Sequence, residues 1–258
     1  MDKLLYKLKF GIGIIRKYKT WPTAFADYFG FIKKNKLIVH KMRNRAKYFM
    51  RAGTEDFGII NEIYVIKEYD KLINKIKKES VVIDIGGQIG VFSIYAALKN
   101  KDVKVYSYEP FEENYEILKK NISLNKLQNK IIPIKLGVSG KKERREFILC
   151  DENTGGHGFY CTDGSKKISI NTISLKDIFE NNKIKKCDYL KMDCEGAEYE
   201  ILLNASKKLL KKINSISMEY HKNGDVDKLK NFLEKNDFKV IIKNDLGEGM
   251  LYAEKNGI

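Results

Sequence analysis

The run Val81-Val82-Ile83-Asp84-Ile85-Gly86-Gly87-Gln88-Ile89-Gly90 constrains this chain more than any other stretch. Its first five residues, four of them apolar and β-branched, suit a strand buried on both faces. A helical apolar pattern follows from Ile89 to Leu98. Between strand and helix lies a glycine-rich turn with an acid at the strand's end, Asp84-x-Gly86-x-x-x-Gly90. Glycines there let a ligand approach the backbone where a Cβ would block it. A strand, a turn and a helix in this order start a nucleotide-type α/β domain, whose ligands sit at the carboxyl ends of the strands.

Two ligand classes use such a turn, and the spacing separates them. A dinucleotide's pyrophosphate asks for Gly-x-Gly-x-x-Gly at the helix N-terminus. With Gly87 and Gly90 as the later pair, the place of the first glycine is held by Ile85. S-adenosylmethionine has no phosphate, and its ammonium suits an acid near the turn. A second acid, Glu109, follows Gly90 by nineteen residues and ends the next apolar run, Val103 to Tyr108. A carboxylate there can accept hydrogen bonds from both ribose hydroxyls. Either acid alone is as well explained as a loop acid or a helix cap. Together, after two strands, they read as a binding pair.

The runs Val82 to Gly90, Tyr108-Glu109-Pro110, Asn121 to Asn125 and Lys191-Met192-Asp193-Cys194-Glu195-Gly196-Ala197-Glu198 resemble the FkbM family of methyltransferases, over about residues 54–254. The Lys-x-Asp-x-Glu-Gly-x-Glu run is the most specific part. The resemblance implies a class I, S-adenosylmethionine-dependent enzyme that O-methylates sugar or polyketide hydroxyls. It implies donor contacts from Asp84, Gly86, Gly87, Gln88, Gly90, Glu109, Pro110 and Asp193. The family usually has Gly-Ala-Asn in the turn, where this chain has Gly86-Gly87-Gln88; Gln keeps the amide on a longer arm.

From Val81 the alternation is regular. Strands are expected at about 81–85, 103–109, 131–136, 187–193, 214–220, 238–243 and 249–254, with helices at about 89–99, 111–125, 198–212 and 225–236. The link Asn244 to Glu248 is too short for a crossover helix, so the last two strands should pair antiparallel. The expected fold is α/β: a Rossmann-like class I methyltransferase fold over residues 54–258, with a mostly parallel seven-stranded sheet and an antiparallel terminal strand. Residues 143–172 interrupt it as a β-insertion, with strands at 145–150 and 167–171 around a glycine-rich loop, 151–160, that reads as a flap over the ligand mouth. Ahead of it, residues 1–53 should form an extension of helices and a hairpin (37–40 with 46–50). Leu4, Leu5, Leu8, Ile12 and Ile15 lie at helical spacing in its first helix, and a second short helix should reach Phe31. Thr54 is expected to cap a helix running through Glu62, and 70–79 to form a basic amphipathic helix.

Methyl transfer from a sulfonium is an in-line displacement, so the enzyme must position the acceptor and remove its proton. The strand Tyr189 to Glu195 delivers Lys191, Asp193 and Glu195 to one face by its two-residue period. The next strand ends Met218-Glu219-Tyr220-His221 at the same rim. Catalytic or acceptor-binding roles are therefore expected of Asp193, Glu195, Lys191, Glu219 and His221, the bland alternative being caps of the following helix. His157, in the flap, is a weaker candidate, and His40 is set aside. Asp193, Glu195 and Glu219 could hold a divalent ion, but their spacing is not diagnostic and no metal is assigned.

The charge is uneven. Residues 1–50 hold thirteen Lys and Arg against two Asp, which accounts for eleven of the net +15. Basic residues interleaved with Leu, Ile, Tyr and Phe point to peripheral contact with an anionic membrane through residues 1–50; a helix packed on its own domain explains the pattern as well. The longest apolar stretch, Phe10 to Ile15, is far too short to span a bilayer. The pI near 9.4 raises a nucleic-acid methyltransferase as an alternative. Against that, only six of 49 basic residues are Arg, and the Pro-Pro pair usual after the fourth strand in enzymes that methylate exocyclic base amines is missing. A third reading, an inactive membrane-surface module on the same fold, is disfavoured by the intact set Asp84, Glu109 and Asp193. The favoured acceptor is a sugar hydroxyl of a glycan or glycolipid. Four cysteines without Cys-x-x-Cys, with Cys187 and Cys194 in or beside an apolar strand, read as buried thiols in a reducing, cytoplasmic setting, peripheral at the inner membrane surface.

Overall fold

The computed structural model of the chain describes residues 3–99, 101–150, 157–160, 166–245 and 248–257. First come α1 (Lys3–Lys17), α2 (Trp21–Tyr28), the hairpin β1 (Leu37–Lys41) and β2 (Lys47–Arg51), α3 (Asp56–Asn61) continuing into a π-helical turn (Glu62–Ile66), and α4 (Asp70–Ile73). The main sheet begins with β3 (Val81–Ile85), α5 (Val91–Lys99), β4 (Lys104–Tyr108), α6 (Glu112–Leu124) and β5 (Ile131–Ile134). The insertion supplies β6 (Gly137–Val138), β7 (Glu143–Leu149) and β8 (Lys166–Ile173), followed by α7 (Leu175–Asn181). The chain then returns to the main sheet with β9 (Tyr189–Met192), α8 (Glu198–Leu203), α9 (Lys207–Leu210), β10 (Ser215–Tyr220), α10 (Val226–Glu234), β11 (Phe238–Asp245) and β12 (Glu248–Lys255).

The strand order is β11-β12-β10-β9-β3-β4-β5. β3 runs parallel to β4 and β9, β4 to β5, and β9 to β10. β12 lies antiparallel between β10 and β11. The seven-stranded, mostly parallel sheet thus forms as expected, its one antiparallel strand being β12, the last in the chain. β3 lies inside the sheet, between β9 and β4, because its side chains can be buried on both faces: Val82, Ile83 and Ile85 are at most 1% exposed. The chain leaves β3 toward β5 on one side and returns to β9 on the other, and this reversal opens a crevice at the carboxyl ends of β3 and β9.

Each face carries one apolar cluster. Tyr18, Met42, Tyr48 and Met50 of the N-terminal extension join Phe92, Ile94, Ile117 and Leu118 of α5 and α6 on one face. Ile178, Ile201, Leu202, Leu229 and Leu233 cover the other. A fully buried Ile or Leu stabilises by about 1.5–3 kcal/mol, so the extension is held on the sheet by several such contributions.

Several local expectations fail for identifiable reasons. The helix expected over 198–212 is two helices, because Ser206 starts a new one: its hydroxyl accepts from Leu209 N at 3.2 Å. α4 stops at Ile73, not 79, and α2 at Tyr28, short of Phe31. Thr54 does not cap α3 from the cap position, which belongs to Glu55; its hydroxyl donates to Arg51 O at 2.8 Å and accepts from Asp56 N at 3.3 Å. α7 was not expected, although Ser174 and Asp177 form a reciprocal capping box. β7 and β8 pair antiparallel, as the insertion predicts. Residues 151–156 of the expected flap, 246–247 of the last link, and the side chains of Leu4, Leu5 and Leu8 lie outside the described residues. Cys187 and Cys194 are free thiols. Cys150 is disulfide-bonded, so cysteine usage does not support the reducing setting expected from the sequence. Among the described residues, no helix is long and apolar enough to cross a membrane.

Candidate functional site

Ile85 of β3 is paired in register with Met192 of β9, so the turn after β3 and the segment from Asp193 run side by side. Gly86, at φ +77°, cannot be replaced, since a Cβ would collide with the carbonyl oxygen of Asp193; a Cβ at Gly87 would collide with the Ser107 hydroxyl. These glycines are required by the close approach of the protein to itself, not of a ligand to the backbone as the sequence suggested. The cleft above them is lined by Gly86, Gly87, Gln88, Glu109, Pro110, Lys191, Asp193 and Glu195 of the expected residues.

Lys191 is the hub beneath the turn. It is 4% exposed, donates to Gly86 O at 2.7 Å, and stands 3.6 Å from Asp84 Oδ1 and 3.5 Å from Asp193 Oδ2. Burial alone would lower its pKa; the carboxylates of Asp193 and Asp84 outweigh that, and the ammonium stays charged. Asp84 lies deeper than expected. It is fully buried, accepts from Ser93 Oγ at 2.6 Å and Ser107 Oγ at 3.2 Å, and does not line the cleft. Burial pushes its pKa up, with Lys191 opposing. Its place is under the turn, holding Lys191 and two serines.

A second network, not foreseen from the sequence, fixes the turn from the other side. Gln88, at φ +46°, donates through Nε2 to Asp56 Oδ1 at 2.8 Å, and its Oε1 accepts from Ile89 N at 2.6 Å. Asp56 is fully buried and gripped by Arg51, whose Nε reaches Oδ2 at 2.9 Å and whose Nη2 reaches Oδ1 at 2.7 Å. The same Nη2 donates to Asn114 Oδ1 at 2.7 Å. Hairpin, α3, turn and α6 are joined by one charge-assisted set, geometry that is stronger than neutral pairing. The longer arm of Gln88 is used to reach Asp56.

Glu109 clamps the turn to the next strand. Its Oε2 accepts from Gln88 N and its Oε1 from Phe111 N, each at 2.8 Å. Burial pushes its carboxyl up to about 7 against those two bonds. Each oxygen takes a single backbone donor, which leaves acceptor capacity for a ribose hydroxyl. Tyr108, Leu136, Val138, Phe147 and Phe159 add an apolar wall suited to a purine ring. The residues present therefore fit S-adenosylmethionine.

The rim is acidic. Asp193 and burial push Glu219 up to about 9; burial, Glu68 and Asp193 push Glu62 up to about 8; burial also raises Glu195 and Glu68. Carboxyls crowded in this way favour a cationic ligand, such as a sulfonium or ammonium. Glu62 and Ile63 reach the cleft from the π-helical turn, and no sequence signal marked them.

His221 Nε2 lies 3.3 Å from Glu195 Oε2, and its Nδ1 lies 3.5 Å from Glu198 Oε1. Burial would lower its pKa, but the two carboxylates outweigh it and hold it at about 11. A protonated imidazole cannot accept a proton, so His221 positions Glu195. The ligand atoms of Asp193, Glu195 and His221 lie within 4.8 Å of one another, a spacing compatible with a divalent cation in which His221 stands where Glu219 was expected. Phe159 and His157 close the cleft from the insertion, and a Cβ at Gly158 would press on Glu195. His157 Nδ1 accepts from Cys150 N at 3.0 Å, and burial beside Arg51 lowers its pKa. His40 is buried in the extension, 3.9 Å from Asp27, far from this chemistry.

Comparison with known proteins matches this architecture. The methyltransferase FkbM domain covers residues 84–240. The methyltransferase sdnD of Sordaria araneosa is 23% identical over 208 residues, 68% of this chain and 79% of that one. The hexuronic acid methyltransferase AglP of Haloferax volcanii is 25% identical over 150 residues, 58% of this chain and 59% of that one. The crystal structure of the methyltransferase FkbM from Methylobacillus flagellatus superimposes with a TM-score of 0.50 at 16% identity, over 77% of this chain and 54% of that one. With the family domain spanning more than half of its length, the chain belongs to the FkbM family of S-adenosylmethionine-dependent methyltransferases.

Proposed function

We propose that this methyltransferase acts on oxygen, methylating a sugar hydroxyl of a glycan or glycolipid. The observation that carries the reading is that Asp193 and Glu195, in the loop after β9, line the cleft beside the turn that fits the donor, with His221 from the end of β10 at 3.3 Å from Glu195 and Glu219 close enough for Asp193 to raise its pKa. Similarity to a hexuronic acid methyltransferase supports a sugar acceptor.

S-adenosylmethionine supplies a methyl group already activated on a sulfonium. What remains for the protein is to hold the acceptor hydroxyl in line and remove its proton. Asp193, with its side chain 28% exposed at the rim, is the proton acceptor in this reading, and Lys191 at 3.5 Å keeps it oriented. Glu195, held by His221, takes an adjacent hydroxyl of the sugar. Glu219, at about 9, is protonated near neutral pH and so donates a hydrogen bond instead of competing for the proton. A nucleic-acid acceptor fits less well, because among the described residues Lys191 is the one Lys or Arg lining the cleft, and Asp84 and Asp193 already hold it, leaving no cation there for a phosphate backbone.

Incubation with methyl-labelled S-adenosylmethionine and separate glycan, glycolipid and RNA fractions tests this. Label should enter a glycan or glycolipid fraction and be recovered as an O-methyl sugar after acid hydrolysis. Label confined to RNA, or to a nitrogen-linked methyl, would overturn it.

A further inference from the structure

The N-terminal extension exposes an aromatic strip that nothing among the described residues covers. Trp21 is 41% exposed, Tyr28 47%, Phe29 62% and Phe31 82%. The rings are continuous: Trp21 to Phe25 is 6.0 Å between centroids, Phe25 to Phe29 6.2 Å, Tyr28 to Phe29 5.2 Å and Phe29 to Phe31 6.3 Å. Single exposed apolar residues need no explanation, but a contiguous strip marks an interaction surface.

The charge around the strip says what it meets. Between Phe10 and Gly53 nine Lys and Arg are exposed, while the one carboxylate in that span, Asp27, is 4% exposed. Lys33, Lys34 and Lys36 follow Phe31 directly. At the other end of α2, Lys19 and Arg43 are brought together, Lys19 N donating to Lys41 O at 2.7 Å and Arg43 Nε to Ile15 O at 3.1 Å. None of these bases has a carboxylate partner among the described residues, whereas Lys119, Lys167 and Lys186 elsewhere are paired with Glu116, Glu146 and Asp188. Phenyl rings flanked at both ends by unpaired cations match an acyl boundary under phosphate headgroups. They match a nucleic acid less well, since the cations beside the strip are mainly lysines and Phe29 and Phe31 have no group to bond a base edge.

We propose that α2 and the loop to β1 dock this protein on an anionic lipid surface, with Trp21, Phe29 and Phe31 entering the interface and the flanking lysines meeting phosphate headgroups. Phe57 of α3 packs on Tyr28 at 6.2 Å and on Tyr18 at 6.0 Å, and the same helix runs into the turn whose Glu62 and Ile63 line the cleft. One helix therefore separates the lipid-facing strip from the site, and the docking itself does not depend on which acceptor is methylated.

Sedimentation of the whole chain with phosphatidylcholine vesicles, with and without phosphatidylglycerol, tests the proposal. Binding should require phosphatidylglycerol and fade near about 0.5 M salt, where screening reaches only about 4–5 Å. Each lysine near an anionic surface is worth about fivefold in partition, so Lys33→Glu, Lys34→Glu and Lys36→Glu combined should lower it more than about a hundredfold. Phe29→Ser with Phe31→Ser should lower it by about tenfold or more. Both variants should keep wild-type affinity for S-adenosylmethionine, which shows that they fold. Equal binding to neutral vesicles, no binding at low salt, or variants that sediment like wild type would overturn the proposal. So would retention on an RNA oligomer with the anionic vesicles ignored.

Discussion

Lys191 Nζ donates to the carbonyl oxygen of Gly86 at 2.7 Å, so the end of β9 is fastened to the turn after β3 through a buried cation. The same ammonium neutralises Asp84, whose Oδ1 has no hydrogen bond of its own. Lys191→Met removes the cation and leaves a buried carboxylate alone. It is expected to destabilise the fold by about 3–5 kcal/mol, the usual cost of breaking a buried charge pair. Adding Asp84→Asn should restore part of the loss, because the two sites are in contact. Urea unfolding of the single and double variants checks both; equal midpoints for wild type and Lys191→Met would show that the pair is not needed.

Glu109 gives donor binding a pH dependence. Its folded-state carboxyl sits at about 7, above the ordinary value near 4.3, so between those limits the folded protein binds the proton more tightly than the unfolded chain. Stability from this group therefore falls as pH rises through that window. Ribose hydroxyls donate to the ionised form, so affinity for S-adenosylmethionine should rise about tenfold between about pH 6 and about pH 8. Glu109→Gln should flatten that dependence and weaken binding at the upper end by about 1.5–3 kcal/mol. Calorimetric titrations at several pH values decide it, and a wild-type slope retained in Glu109→Gln would contradict the assignment.

His221 works in the opposite direction from a base. Held at about 11 by Glu195 and Glu198, it is charged in the folded state well above the pH at which it loses its proton unfolded. The stability it contributes is complete below about pH 6.5 and is lost as pH rises toward about 11. Denaturation midpoints of wild type should thus fall over that range more steeply than those of His221→Gln. Parallel curves would mean that the imidazole is neutral and free to act as a base.

Much of this fold was legible because β3, β4, β9 and β10 are short apolar runs that end in acids, a pattern set by burial on both faces and a ligand at the strand ends. Asp193 and Glu195 were expected on one face of a strand running through Glu195, but β9 ends at Met192 and Glu195 stands at φ +55°, so both acids reach the rim from the loop after the strand. What the sequence did not carry was depth. Asp84 and Glu109 look alike as strand-end acids, yet Asp84 is sealed beneath the turn and Glu109 faces the cleft, a difference set by how β3 sits between two neighbours. The Arg51–Asp56–Gln88–Asn114 network joins four segments whose proximity only the tertiary fold creates. α7 is a different case, since its capping-box start, Ser174-x-x-Asp177, is readable in the sequence alone. The break before Ser206 could likewise have been read from its capping chemistry.

In the proposed reaction Asp193 takes the proton of the acceptor hydroxyl. Asp193→Asn keeps the shape and removes the charge, and donor affinity should stay within a few-fold because the turn and Glu109 are untouched. The decisive measurement is the single-turnover rate of S-adenosylhomocysteine formation by wild type and Asp193→Asn at saturating donor and acceptor. The rate should drop by about 10²–10⁴, the range for loss of a general base. A variant that turns over at the wild-type rate with intact donor binding would contradict the account and move the proton to another group.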